Sequence, residues 1–329
     1  MAFPNIDLHC DLLSYLQSAP NPDPFRKNDI GCSIPWLKEG GVRLQVMAIY
    51  TATGSGSSRL GLEQSQIFKS LLNEHQDQLS LANSLEALSE VMSDKKVGMV
   101  AAIENASGFC EAEDTLDDGF VKLERIIENT SGVLYLGLTH HLENRFGGGN
   151  TTQVGLKDDG RVLLEYISGR KIAIDLSHTS DPLAHDILEF IDKKNLDFPI
   201  IASHSNYRPI YDHNRNLPDE LAKEIINRKG LIGVNLLRAF VDDNYPDTIY
   251  DHINHGLTLG GKESICFGAD FFFTGSHPDR TREPFYHPEH ENAGSYSLMI
   301  QNIEKRFSRE TAEHISGKNV INFLNRIWV

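Results

Sequence analysis

The sequence predicts an α/β fold, a closed (β/α)8 barrel of the TIM type, and three observations carry that expectation. Eight short runs rich in β-branched and apolar residues recur along the 329-residue chain. Longer amphipathic stretches separate them, and near-continuous apolar strands alternating with helices make a parallel sheet covered on its outer face. No Pro/Gly linker, low-complexity tract or compositional break divides the chain, so one domain spanning 1–329 is expected. Eight such units favour a closed barrel over an open doubly wound sheet. A barrel of this kind takes about 250 residues, and the surplus is expected as insertions around 52–96 and 272–297.

The first run, NIDLHCDL (5–12), places Asp7, His9 and Asp11 at alternate positions. In a strand, residues two apart share a face, so these three are expected on one side and Ile6, Leu8, Cys10 and Leu12 on the other. VRLQVMAIYT (42–51) follows, then a stretch over 62–93 that reads as helical. VGMVAAIEN (97–105) carries Glu104 near its end, and VLYLGLTH (133–140) ends in Thr139-His140, with His141 next. KIAIDLSH (171–178) brings Asp175 and His178, and PIIASHS (199–205) brings His204. The helical pattern DELAKEIINRKG, which Gly230 is placed to end, leads to LIGVNLL (231–237), and SICFGADF (264–271) supplies Asp270.

The active site of such a barrel lies at the C-terminal ends of its strands. Six of the eight runs deliver a His or a carboxylate there, far more than isolated structural histidines would produce. Imidazole and carboxylate without thiolate suit Zn²⁺, with Mn²⁺, Co²⁺ or Fe²⁺ as alternatives. His9, Asp11, Glu104, His178 and His204 are too many for one catalytic zinc, which takes three protein ligands and keeps a position open. They suit two ions if Glu104 bridges, since two ions about 3.5–4 Å apart share a hydroxide and polarise a carbonyl together. Asp175 is expected to orient His178, Asp7 to sit one layer below the metals, and His141 to be a bystander. His277, His287 and His290, in HPDRTREPFYHPEHE, are expected in a solvated loop.

Formal net charge is −15, with 40% hydrophobic and 23% charged residues. That balance fits a globular protein and excludes a nucleic-acid partner, which needs clustered Lys and Arg. The four cysteines, Cys10, Cys32, Cys110 and Cys266, are scattered and predict no disulfide framework. With no basic-then-apolar leader and no apolar run of about 18 residues, a cytoplasmic protein without a membrane partner is expected. A homodimer stays open.

In these motifs the sequence resembles the membrane (renal-type) dipeptidases, peptidase family M19 of the amidohydrolase superfamily. The resemblance rests on Asp7-Leu-His9-Cys-Asp11, Ile103-Glu104-Asn105, Leu138-Thr139-His140, Asp175-Leu-Ser177-His178 and Ser203-His204-Ser205. It continues through Arg215-Asn216-Leu-Pro218-Asp219, Gly268-Ala-Asp270 and the closing segment from Gly317 to Phe323. The resemblance implies a binuclear zinc dipeptidase, with dipeptides bearing a D-configured C-terminal residue among its substrates. It implies that His9 and Asp11 hold one zinc, His178 and His204 the other, and that Glu104 bridges them. It further implies that His140 steadies the substrate oxyanion, that Arg215 pairs with the C-terminal carboxylate, and that Asp270 moves the proton. The family often has Asn and Pro where this chain has Cys10 and Leu13, and an acid and a glycine where it has Phe271-Phe272-Phe273-Thr274-Gly275. The phenylalanines bear on substrate preference and are expected to form an apolar wall with the 272–297 loop. A second reading is another amidohydrolase acting on a lactone, cyclic amide or N-acyl amino acid. Such enzymes mostly show H-x-H on strand one and a bridging carboxylated lysine, unlike His9-x-Asp11 and Glu104 here. A third, a catalytically dead barrel kept for binding, is disfavoured by the full ligand set and Asp270.

Overall fold

The computed structural model describes residues 4–328. Nine parallel strands form its sheet. They are β1 (Asn5–Cys10), β2 (Val42–Tyr50), β3 (Leu79–Leu81), β4 (Val97–Glu104), β5 (Val133–Gly137), β6 (Ala173–Asp175), β7 (Ile200–Ile201), β8 (Ile232–Val234) and β9 (Ile265–Phe267). Pairing runs β7–β6–β5–β4–β2–β1–β9–β8, and β3 joins β4 at Val97–Met99. Ala202 closes the ring by bridging Ile232, its N–H donating to Leu231 O and its carbonyl accepting from Gly233, both at 2.8 Å. Eight strands thus make a barrel, and the sequence runs match β1, β2 and β4 to β9.

Two expectations about elements change. The 62–93 stretch is not one helix: Ser57–Glu74 ends at a turn over His75–Gln78, β3 follows, and Ser84 caps a second helix at Leu85–Ser93. Leu79–Leu81 satisfy their backbone groups on β4 instead of on a helical turn. Several strands also stop short of their apolar runs. In the sixth run the strand ends at Ile201, because the N–H of Ser203 goes to Asp175 Oδ1 and that of His204 to Ser177 Oγ.

The barrel interior is filled by Ile6, Leu8, Leu44, Val46, Val100, Ala102, Tyr135, Ala173, Ile201 and Cys266, a packed core that leaves no pore. Val320, Phe323 and Leu324 of the last helix, Asn319–Ile327, pack into the same cluster. A Cβ on Gly233 or Gly268 would overlap the carbonyl oxygen of Ser203, so both positions need glycine to let the chain after β7 pass so near β8 and β9. The four cysteines are buried and unpaired. Among the described residues no helix is long and apolar enough to cross a membrane.

The alternation expected in β1 breaks in the middle. Ile6 and Leu8 join the interior cluster, and Asp7 faces away from it, its Oδ2 accepting from Tyr296 Oη at 2.7 Å on the covering helix Tyr296–Arg306. Register against β2 slips between Asp7 and Cys10. This bulge frees His9 from the face of Asp7, as bulges near active sites re-aim side chains. Asp7 is therefore a clasp between strand and helix, and its Oδ1 accepts from the backbone N–H of His9 and of Ala269.

Candidate active site

Glu104 ends β4 at the centre of the rim, 5% exposed. Its two oxygens face different partners. Oε2 lies 3.3 Å from His9 Nε2; Oε1 lies 3.0 Å from His178 Nε2, 3.6 Å from His204 Nε2 and 3.7 Å from His140 Nε2. His178 and His204 bring their Nε2 atoms within 3.0 Å of each other. Asp270 Oδ1 stands 3.7 Å from His9 Nε2, and one ligand atom each of His9, Asp11 and Asp270 falls within a 4.8 Å group. Seven residues drawn from His9 to Asp270 thus meet at one rim, because the barrel gathers strand ends.

The imidazoles are held from behind. His9 Nδ1 lies 2.7 Å from Tyr135 Oη, which donates its own proton to Leu8 O at 2.9 Å. His9 is therefore the donor in that pair, and its Nε2 points into the site toward Glu104. His204 repeats the device. Ser203 Oγ donates to Asp175 Oδ2 at 2.5 Å and so accepts from His204 Nδ1 at 2.6 Å. Asp175 accordingly orients His204 through Ser203, not His178 as the sequence suggested; His178 Nδ1 is buried without a partner. Backbone strain collects here as well. Asn105, His178 and Asp270 have φ of 74°, 65° and 64°, a left-handed region that non-glycine residues enter only when their surroundings impose it.

The electrostatics call for cations. Asp11, Glu104 and Asp270 lie buried together. Burial pushes Asp11 far above the ordinary carboxylate range, and Glu104 adds to the rise. Burial would lower His9, but the charge and hydrogen bond of Glu104, with Asp11 and Asp270, outweigh it and raise His9 to about 10. Buried negative charge of this density needs a compensating positive one, whether protons or metal ions. Asp11 Oδ1 lacks a hydrogen-bond partner, and the Nε2 atoms of His178 and His204 converge on each other and on Glu104 Oε1. These residues fit divalent metal on both sides of Glu104.

A cavity of about 380 Å³ opens above the cluster, lined among others by Tyr50, His140, Phe240, Phe272, Phe273 and Phe285. The apolar wall expected from the phenylalanine run is present. His141, expected as a bystander, also lines the cavity, with Nδ1 2.9 Å from Asn150 Oδ1. Burial lowers His140 to about 3, so it is neutral. Of the three histidines expected in a solvated loop, His287 and His290 are buried, with His287 Nε2 donating to Asp242 O at 2.7 Å, and His277 is half-buried against the cavity, while Pro278 to Thr281 are exposed. Arg215 is buried beside His204, not among the cavity-lining residues. Its Nη1 donates to Ser205 Oγ and its Nη2 to His204 O, each at 2.8 Å, while Nε has no partner. Asn235 at the end of β8 donates to Asp270 Oδ2 at 2.8 Å. Asn235, Tyr50 and Tyr135 were passed over in the sequence, although the first two sit at strand ends and could have been found by that rule, and Ser203 was read only as part of Ser203-His204-Ser205, without a role.

The sequence profile of the membrane dipeptidase family (peptidase family M19) matches residues 1–328. An uncharacterised dipeptidase of Schizosaccharomyces pombe is 28% identical over 206 residues, 60% of this chain and 46% of that protein; the match thus spans less than half of that relative's length. Among solved structures, the dipeptidase AC, a metallo peptidase of family M19, superposes with a TM-score of 0.84 at 19% identity, covering 100% of this chain and 99% of the other. A Rhodobacter sphaeroides metallo peptidase, solved with a phosphinate mimic of the dipeptide L-Ala-D-Ala, gives the same TM-score and identity over 100% of both chains.

Proposed function

The chain belongs to the membrane dipeptidase family, peptidase family M19, and on that premise we propose that it is a metal-dependent dipeptidase with two divalent ions per chain. The observation that carries the reading is the division of Glu104, one oxygen toward His9 and the other toward His178 and His204. His9 and Asp11 would hold one ion, His178 and His204 the other, with Glu104 shared. Imidazole and carboxylate donors favour Zn²⁺, with Mn²⁺, Co²⁺ or Fe²⁺ as alternatives. When bound, such a pair supplies an acidified water and a Lewis acid for the carbonyl.

The chain's own residues do the rest. Burial raises Asp270 to about 6, the charge of Glu104 adding to it and His9, Arg215 and the Asn235 hydrogen bond opposing it. A carboxylate poised there takes a proton from water and returns it to the leaving amine near neutrality. Neutral His140 offers an N–H to the carbonyl oxygen as it becomes anionic. Arg215, whose Nε has no partner, would face the C-terminal carboxylate. The dipeptide mimic held by the Rhodobacter sphaeroides relative supports including a D-configured second residue among the substrates.

The test compares a dipeptide with its C-terminal amide. An amide lacks the charge that Arg215 would meet, and kcat/KM should fall about a hundredfold or more. Equal rates would show that the free carboxylate is not recognised, and no hydrolysis of either would remove the dipeptidase reading.

A further inference from the structure

The segment after β9 contributes more than an apolar wall. Arg282 is the single arginine or lysine among the described residues lining the cavity, and its side chain is half-buried. Its position is pinned: Arg238 donates Nη2 to Arg282 O at 3.1 Å and Nε to Pro284 O at 2.8 Å. The nearby acids are engaged elsewhere. Glu283 pairs with Arg280 at 2.6 Å, Asp279 Oδ1 accepts from Thr281 N and Oγ1, and Asp243 pairs with Arg238 at 3.9 Å. Among the described residues no carboxylate pairs with Arg282. Asp279 feels the charge of Arg282 without touching it, and a guanidinium facing a substrate cavity with no carboxylate in contact gains from a ligand carboxylate.

Its placement says which carboxylate. Arg215 lies 5.7 Å from the ring of Phe240, which lines the cavity, and Arg238, on the same short helix Arg238–Val241, holds the backbone of Arg282, so the two arginines flank the same side of the site. With Arg215 assigned to the C-terminal carboxylate, Arg282 stands nearest the side chain of that same residue. We propose that Arg282 selects dipeptides whose C-terminal residue carries a side-chain carboxylate, aspartate or glutamate. This specificity rests on the dipeptidase reading above. It is not set by the molecule's overall charge of −15, which repels anions; a local cation in a walled cavity overrides that field for a bound ligand.

The experiment measures kcat/KM of the metal-loaded enzyme on Ala-Asp, Ala-Asn and Ala-Ala, each with an L- and a D-configured second residue. The readout is the ratio of acidic to neutral substrate. The wild type should favour Ala-Asp over Ala-Asn, and Arg282→Gln should lower that ratio about threefold to fivefold, the scale of a half-exposed charge pair. Arg282→Lys should keep part of the preference, and Arg282→Glu should turn it toward Ala-Lys. A ratio unchanged by Arg282→Gln overturns the proposal, whether all rates fall together, as they would if Arg282 bound the shared C-terminal carboxylate, or none falls. Hydrolysis of Ala-Ala without an acidic preference removes this inference alone. Failure to hydrolyse any of the dipeptides removes the dipeptidase reading and this one with it.

Discussion

At the scale of the residue, the proposed function separates groups that would hold metal from groups that would move protons, and two variants should divide accordingly. Tyr135→Phe removes the acceptor that fixes His9 Nδ1, so metal affinity should fall about tenfold to a hundredfold. Asp270→Asn keeps the Asn235 contact within reach but cannot accept a proton, so turnover should drop by about 10²-fold or more with metal affinity nearly unchanged. Metal titration followed by calorimetry and steady-state kinetics on both variants checks the pair; affinity loss in the Asp270 variant alone would reverse the roles. The ligand-type residues were legible because each lies at the end of an apolar run, and barrel topology collects such ends. Tyr135 and Ser203 were not, because their roles depend on which neighbour a side chain meets. For Tyr135 that neighbour is 126 positions away. Asp175 illustrates the limit: its type suggested an orienting carboxylate, but only the path through Ser203 shows which histidine it orients.

At the scale of the element, local patterns located the strands and missed their irregularities. The alternating Asp7, His9 and Asp11 read as one polar face, whereas a register slip sends Asp7 outward to Tyr296. No period-2 pattern encodes a bulge, since the slip is settled by how β1 packs between β2 and β9. The helix Thr248–Thr258 carries a different consequence. Its His252 is neutral, Nδ1 accepting from Tyr207 N at 3.2 Å and Nε2 donating to Val241 O at 3.0 Å. Burial lowers it from 6.5 to about 4, His255 adding to the fall while the Val241 hydrogen bond and Asp242 oppose it. A base whose folded pKa is depressed contributes stability that is full above the unfolded value. That contribution is lost as pH falls from about 6.5 to 4. The loss should approach about 2–3 kcal/mol at the lower end. Urea unfolding at pH 7.5 and 4.5 should show His252→Gln losing less stability than the wild type across that interval. Parallel losses would mean that other groups carry the acid sensitivity.

At the scale of the whole molecule, the barrel closes through one bridge between Ala202 and Ile232, and its C-terminal helix packs into the base of the core. Eight repeated units made that architecture legible from the sequence. The covering of the site was less so, because the 272–297 segment has little regular structure and its phenylalanines and Arg282 find the cavity only through tertiary packing. What the fold achieves is to bring three buried carboxylates against four histidines in a place water barely reaches. On the proposed reading, two divalent ions balance that charge. The central claim is tested most directly by stripping the protein of metal and adding Zn²⁺ or Mn²⁺ in steps while following hydrolysis of a dipeptide. Activity should rise to its maximum at two equivalents per chain. Full activity in the metal-free protein, a maximum at one equivalent, or no hydrolysis at any loading would contradict it.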